Sequence, residues 1–154
     1  MFHFELGRGP IQRELGSIPA PSSESVSKSM KSNRGKDTKP ELTLRSALWS
    51  SGVRGYRLHK KDVPGRPDIS FSRERVAVFV NGCFWHRCPR CDLPLPKTHT
   101  EFWNRKFKLN KERDIRKRRE LESEGWTVVT IWECEIREAP MECVEMVRRA
   151  LRGP

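Results

Sequence analysis

At 154 residues the chain has room for one ordinary domain and a tail, since domains usually run to about 100–150 residues; two large domains are excluded. Lysine and arginine number 31 against 20 acidic residues, a net charge of +11 with 33% of the chain charged, which points to a polyanionic partner. The hydrophobic share of 35% allows a modest core. No run approaches the roughly 20 apolar residues of a membrane span, and the start Met1-Phe2-His3-Phe4-Glu5 lacks a secretion signal's basic and apolar regions, so a soluble, cytoplasmic protein is expected.

Residues 1–26 contain Gly7, Gly9, Pro10, Gly16, Pro19 and Pro21, then Ser22, Ser23 and Ser25, without an apolar period; a disordered tail is expected. Residues 27–39 form a basic arm with Lys28, Lys31, Arg34, Lys36 and Lys39, suited to phosphates or simply to solvent. A helix is predicted from Pro40, with Thr38 as N-cap, Leu44, Ala47 and Leu48 on one face and Gly52 as the stop. A short strand around Tyr56 and Leu58 leads to the turn Pro64-Gly65-Arg66-Pro67. Strands follow at Asp68–Phe71 and Arg75–Val80, the second an apolar run of the kind buried on both faces. Residues 83–99 have turn chemistry. A basic helix runs from Thr100 to Glu124, ended by Gly125, then a strand from Trp126 to Trp132 and a final helix over 138–151 with Met141, Val144, Val147 and Leu151 on one face. This order implies an α/β sandwich around a small mixed sheet.

Five cysteines make an odd count, and three fall within nine residues as Cys83-x4-Cys88-x2-Cys91. A disulfide framework is therefore less fitting than a metal site. Cys134, arriving from the last strand, is a plausible fourth thiolate, and a closed four-thiolate shell suits structural Zn²⁺. The alternative is buried, reduced cysteines acting as small hydrophobes, the role expected of Cys143. His86 could also replace one cysteine.

Asp68 leaves a rigid turn at the start of a strand, and the next strand ends in Val80-Asn81-Gly82 before Cys83-Phe84-Trp85-His86. A carboxylate and a backbone carbonyl from adjacent strands could hold Mg²⁺ while an imidazole takes a proton from water, the ingredients of metal-assisted phosphodiester hydrolysis. Phe84, Trp85 and Trp103 are large aromatics beside the basic helix. They are core residues or wedges that insert between base steps.

At these residues the chain resembles the very short patch repair (Vsr) DNA mismatch endonucleases. The resemblance runs from about Ser27 to Cys134. Its segments are Ser27-Lys28-Ser29-Met30, Lys36 to Glu41, Pro64-Gly65-Arg66-Pro67-Asp68, Gly82-Cys83-Phe84-Trp85-His86, Lys97-Thr98, Glu101-Phe102-Trp103, Asn110, Glu112-Arg113-Asp114, Gly125-Trp126 and Trp132-Glu133-Cys134. It implies a restriction-endonuclease-like mixed-sheet core flanked by helices, with a structural zinc site, over residues 27–154. The implied activity is Mg²⁺-dependent nicking of one strand 5′ to the thymine of a T:G mismatch left by 5-methylcytosine deamination, which starts repair. Asp68 is then the Mg²⁺ ligand beside the Val80 carbonyl, and His86 the base. Glu41 and Asp114 become acids at the site, and Cys83, Cys88, Cys91 and Cys134 the zinc shell. Phe84, Trp85 and Trp103 correspond to the wedge, Met30 to a residue inserted from the arm, and Lys106 and Asn110 to the positions that read the mismatched pair. The implied partners are mismatched double-stranded DNA and mismatch-repair proteins, for a monomer at the nucleoid.

Departures from the pattern accompany these matches. Where the best-known member has a second catalytic histidine, this chain has Asn81, which can hydrogen-bond but cannot shuttle a proton, so a leaving-group acid must lie elsewhere. Position 88 can be histidine in the family, and Cys91 is shifted by one residue; a shell of four thiolates tolerates both. Two other functions fit the residues: a Vsr-like nickase of modified or foreign DNA in restriction or defence, and a zinc-stabilised DNA-binding module without catalysis.

Overall fold

The computed structural model describes residues 35–154, together with Ala20 and Glu24. Met30, residues 27–34 of the arm and the rest of the expected tail lie outside the described residues. The first helix, α1 (Lys39–Ser50), starts as its sequence requires: Thr38 accepts the Glu41 N–H and donates its hydroxyl to Glu41 Oε1 at 3.0 Å, while Pro40 occupies the first turn. Gly52 follows at φ +81°, the left-handed geometry that lets the chain leave a helix cheaply.

Strands β1 (Arg57–Leu58), β2 (Ile69–Phe71) and β3 (Val76–Asn81) form an antiparallel meander. After the long helix α2 (Thr100–Ser123), strand β4 (Thr127–Trp132) returns parallel to β3. The sheet order is β1-β2-β3-β4, so β3 is central and shielded on both faces. Val76 and Val78 join Ile69, Phe71, Val129 and Ile131 against Leu44 and Leu48 of α1 on one face. Ala77 turns the other way, onto Leu121 of α2. Helices on both sides of a small mixed sheet give the α/β sandwich expected from the order of elements.

The C-terminus departs from the expected single helix. A six-residue helix, α3 (Glu133–Glu138), comes first and α4 (Pro140–Arg152) follows. Pro140 forces the break: it disfavours helical backbone at Ala139, which sits at φ −145° and ψ 68°, and then serves as a favourable first residue of α4. Val144 and Val147 of α4 are fully buried, as expected, with Cys143 beside them, whereas Met141 remains 53% exposed. Cys143 thus takes its expected place as a small core hydrophobe. No helix among the described residues is long and apolar enough to cross a membrane.

Ile131 is 0% exposed and Leu42 is 50% exposed. Truncating Ile131 to alanine leaves a cavity in the main core and should cost about 2–5 kcal/mol, whereas Leu42→Ala should stay within about 0.5 kcal/mol. Urea unfolding of the two variants checks this; equal losses would contradict the assignment of the core.

Candidate active site

Strand β3 outruns its antiparallel neighbour. Ile69 pairs with Val78, so Val80 has no strand partner on the β2 side. In an extended strand the N–H and C=O of one residue point the same way, and both groups of Val80 face this gap. Asp68 fills half of it: its Oδ2 accepts the Val80 N–H at 2.7 Å. The turn that delivers Asp68 is rigid. Gly65 sits at φ +72°, where an added Cβ would come within 3.1 Å of Lys117 Cβ, and Arg66 donates its N–H to the Val63 carbonyl. Burial pushes the Asp68 carboxyl up to about 6; the Val80 N–H works against that shift, and the negative charge of Glu41 adds to it.

His86 lies in the turns that follow β3. Its N–H bonds the Gly82 carbonyl, and its Nδ1 is 2.5 Å from Asp114 Oδ2 on the inner side of α2. Burial raises the Asp114 carboxyl, but the His86 hydrogen bond and the charges of His86, Arg113 and Lys117 outweigh it and hold the group below its usual value. An ionised aspartate on Nδ1 fixes the proton there and leaves Nε2 as the basic nitrogen. Asn81 and Asp114 also line a cavity of about 140 Å³ with Lys117, Arg118 and Thr130. A wider groove of about 480 Å³ between α1 and α4, lined by Leu42, Ala47 and Met141 among others, brings none of the expected site residues together.

The three expected wedge residues form one half-buried cluster. Phe84 meets Trp85 edge-on at 5.1 Å and Trp103 at 5.7 Å, and Trp103 stacks on Phe107 at 5.7 Å. Lys106 is only 7% exposed; its Nζ lies 5.1 Å from the Trp85 ring centroid and 5.4 Å from that of Trp103, a cation–π contact. Burial lowers its pKa. Asn110, also buried, donates its amide to the Trp85 carbonyl at 3.1 Å. Both residues therefore hold the aromatic loop onto α2.

The four expected zinc ligands converge, with their sulfur atoms all within 4.8 Å of one another. Cys88 and Cys134 Sγ are 3.8 Å apart, the edge of a tetrahedron whose metal–sulfur bonds are about 2.3 Å. Cys134 reaches the group from the first turn of α3, two residues past the end of β4. Burial pushes the thiols of Cys83 and Cys134 up. At Cys88 burial also works upward, but the N–H groups of Cys91 and Arg90 prevail and hold that thiol below its ordinary value. No disulfide forms among the five cysteines, and the donor set fits a thiophilic cation.

Several contributors escape a reading of the sequence. Glu41, expected at the edge of the site, is 3% exposed, with Arg45 Nη2 3.3 Å from its Oε2; its burial is what the sequence does not show. His59 and Lys117 carry no motif, and Glu133 falls in the Trp132-Glu133-Cys134 segment without a role of its own. Glu133 Oε2 accepts the Cys83 N–H at 3.2 Å and so ties the cysteine loop to α3. The only sequence signal for His59 is its place opposite Asp68 in a hairpin, which requires the register to be known.

Comparison with known proteins identifies the family. A sequence model of the family described as DNA mismatch endonuclease Vsr matches residues 21–92. The Type II nicking enzyme V.XorIIP of Xanthomonas oryzae pv. oryzae is 45% identical over 109 residues, 71% of this chain and 79% of that protein. The Type II nicking enzyme V.NaeI of Lentzea aerocolonigenes is 41% identical over 143 residues, 90% of this chain and 86% of that protein. The DNA mismatch endonuclease Vsr of Escherichia coli is 39% identical over 111 residues, 72% of this chain and 70% of that protein. Matches of this identity and extent mean that the chain belongs to the Vsr family of DNA endonucleases.

Proposed function

We propose that this endonuclease hydrolyses one strand of duplex DNA 5′ to the thymine of a T:G mismatch, with Asp68, His86 and Asp114 as its central residues. The observation that carries this reading is the 2.5 Å contact between Asp114 of α2 and His86, which lies on the loop that follows the Asp68–Val80 contact. Asp114 orients the imidazole, and His86 Nε2 takes the proton of the attacking water. The water oxygen bonds to phosphorus as the P–O bond to the departing nucleoside oxygen breaks, and that oxygen takes its proton from solvent water, since Asn81 cannot supply one.

Asp68 and the Val80 carbonyl offer hard oxygen donors where Glu41 adds negative charge, a donor set that fits Mg²⁺. A cation held there would neutralise charge on the scissile phosphate. Cys83, Cys88, Cys91 and Cys134 would hold Zn²⁺ as a structural tie. Phe84, Trp85 and Trp103 would act as the wedge, backed by Lys106 and Asn110, with the chain working as a monomer. Mismatch-repair proteins are candidate partners. Relatives named Type II nicking enzymes favour one alternative, nicking of modified or foreign DNA by the same chemistry.

Labelled duplexes carrying T:G, T:A, C:G or methylated C:G at one position, with Mg²⁺ or EDTA, separate these substrates. Selective cutting 5′ to T at T:G is expected, with His86→Ala slower by about 100-fold or more; cutting of methylated C:G in preference would move the assignment to defence. No cutting of any duplex, with Asp68→Ala indistinguishable from wild type, would overturn both.

The Asp68 electrostatics give a further expectation. Its carboxyl stands near 6 in the folded chain against 3.8 for the free group, so the folded state binds the proton more tightly. Its charge therefore costs stability above pH 6, by up to about 3 kcal/mol, and that cost disappears as pH falls below about 4. Asp68→Asn should abolish nicking yet raise the melting temperature of metal-free protein at pH 7.5, with the gain shrinking towards pH 4. If Asp68→Asn instead proves less stable than wild type at pH 7.5, the buried-charge account is wrong.

Purified protein should carry about one zinc per chain. Cys88→Ser should lower zinc content and cost about 3 kcal/mol or more, read by metal analysis and thermal unfolding. Folded wild type with zinc near zero would refute the site.

A further inference from the structure

His59 closes the hairpin between β1 and β2, donating its main-chain N–H to the Asp68 carbonyl at 3.2 Å, which sets the two side chains level. Its backbone adopts φ +47°, a left-handed conformation uncommon for a non-glycine residue and a form of local strain that tends to gather at functional positions. The imidazole, 23% exposed, turns inward. Its Nδ1 lies 3.9 Å from Asp68 Oδ1, and its Nε2 lies 3.5 Å from Glu41 Oε2 and 3.6 Å from Asp37 Oδ1. Nε2 is out of contact with solvent and makes no hydrogen bond. Arg45 already engages both acids, Asp37 just before α1 at 2.5 Å and Glu41 in its first turn at 3.3 Å, so these carboxylates have a cation without the histidine.

What His59 alone provides is a bridge. Asp68 and the buried Glu41 are like charges close enough to affect each other, and the ring stands between them. With Oδ2 of Asp68 on the Val80 N–H, a ring against Oδ1 leaves the carboxylate little freedom to swing away. We propose that His59 is a positioning residue of the nicking centre: its imidazole, set between Asp68 on one side and Glu41 and Asp37 on the other, keeps the Asp68 carboxylate beside the Val80 carbonyl in the orientation that accepts a divalent cation. This assignment rests on the proposed metal role of Asp68.

The experiment compares wild type, His59→Asn and His59→Gln. Asparagine tolerates the left-handed backbone but is too short to reach Glu41, whereas glutamine keeps the reach and a polar end. Binding of Mn²⁺ to DNA-free protein, followed by the electron paramagnetic resonance of free Mn²⁺, is measured beside nicking kcat, KM for DNA and the melting temperature. His59→Asn should weaken Mn²⁺ binding by about 10–100-fold, as outer-sphere changes at metal sites do, and lower kcat with KM for DNA unchanged. His59→Gln should recover most of both. A folded His59→Asn with wild-type Mn²⁺ affinity and kcat would overturn the assignment. So would a folded His59→Gln as impaired as His59→Asn, because the imidazole would then act directly on metal or substrate. If wild type fails to nick any duplex but its Mn²⁺ binding still depends on His59 in this graded way, the nicking function falls and the positioning role stands.

Discussion

The hydrogen bond from the Val80 N–H to Asp68 Oδ2, 2.7 Å long, exists because β3 continues past the end of β2 and leaves main-chain groups without a strand partner. A buried N–H cannot remain unpaired without a penalty of about 1–3 kcal/mol, and the carboxylate of Asp68 meets that need. The same contact anchors the acid at the sheet's central strand, which is packed on both faces and therefore stiff. From this point the chain passes through Gly82 into the loop that carries His86, so the acid and the imidazole are referenced to one strand end.

The arrangement sets stability against chemistry. Asp68 is kept where burial and Glu41 oppose its charge, which a protein selected only for folding would avoid. Asp114 has the opposite fate: His86, Arg113 and Lys117 favour its ionised form despite burial. Two carboxyl groups on neighbouring elements are thus driven in opposite directions, the usual condition for giving them different roles. Burial keeps the first from ionising easily, and the second, ionised, is bonded to the His86 imidazole.

Around this pair, two further clusters hold an otherwise irregular loop. The rings of Phe84, Trp85 and Trp103 pack on α2 through Phe107 and Lys106. At the far end of the loop the cysteines draw residues 83–91 onto α3. A loop without secondary structure has few contacts of its own to offset its ordering entropy, and these clusters supply them. The aromatic side remains half-buried, so the same residues that order the loop present large rings at the surface, next to a helix whose outer face carries exposed lysine and arginine.

Much of this was legible in the residues. Thr38, Pro40 and Gly52 mark the bounds of α1 because caps and turns act locally, and the apolar run of β3 announces a strand covered on both sides. The cysteine spacing, Asp68 after its proline-glycine turn, and His86 beside Phe84 and Trp85 are also local signals. The sequence by itself determined the element order as far as β4, the family and most of the candidate site. Only the tertiary structure decided that Asp68 caps Val80, that His86 meets Asp114 across 28 positions of chain, and that Asn110 and Lys106 brace the aromatic loop. It also decided that His59 lies between Asp68 and Glu41. These contacts depend on strand register and on how α1 and α2 pack against opposite faces of the sheet, and long-range packing leaves no period or spacing in a single sequence.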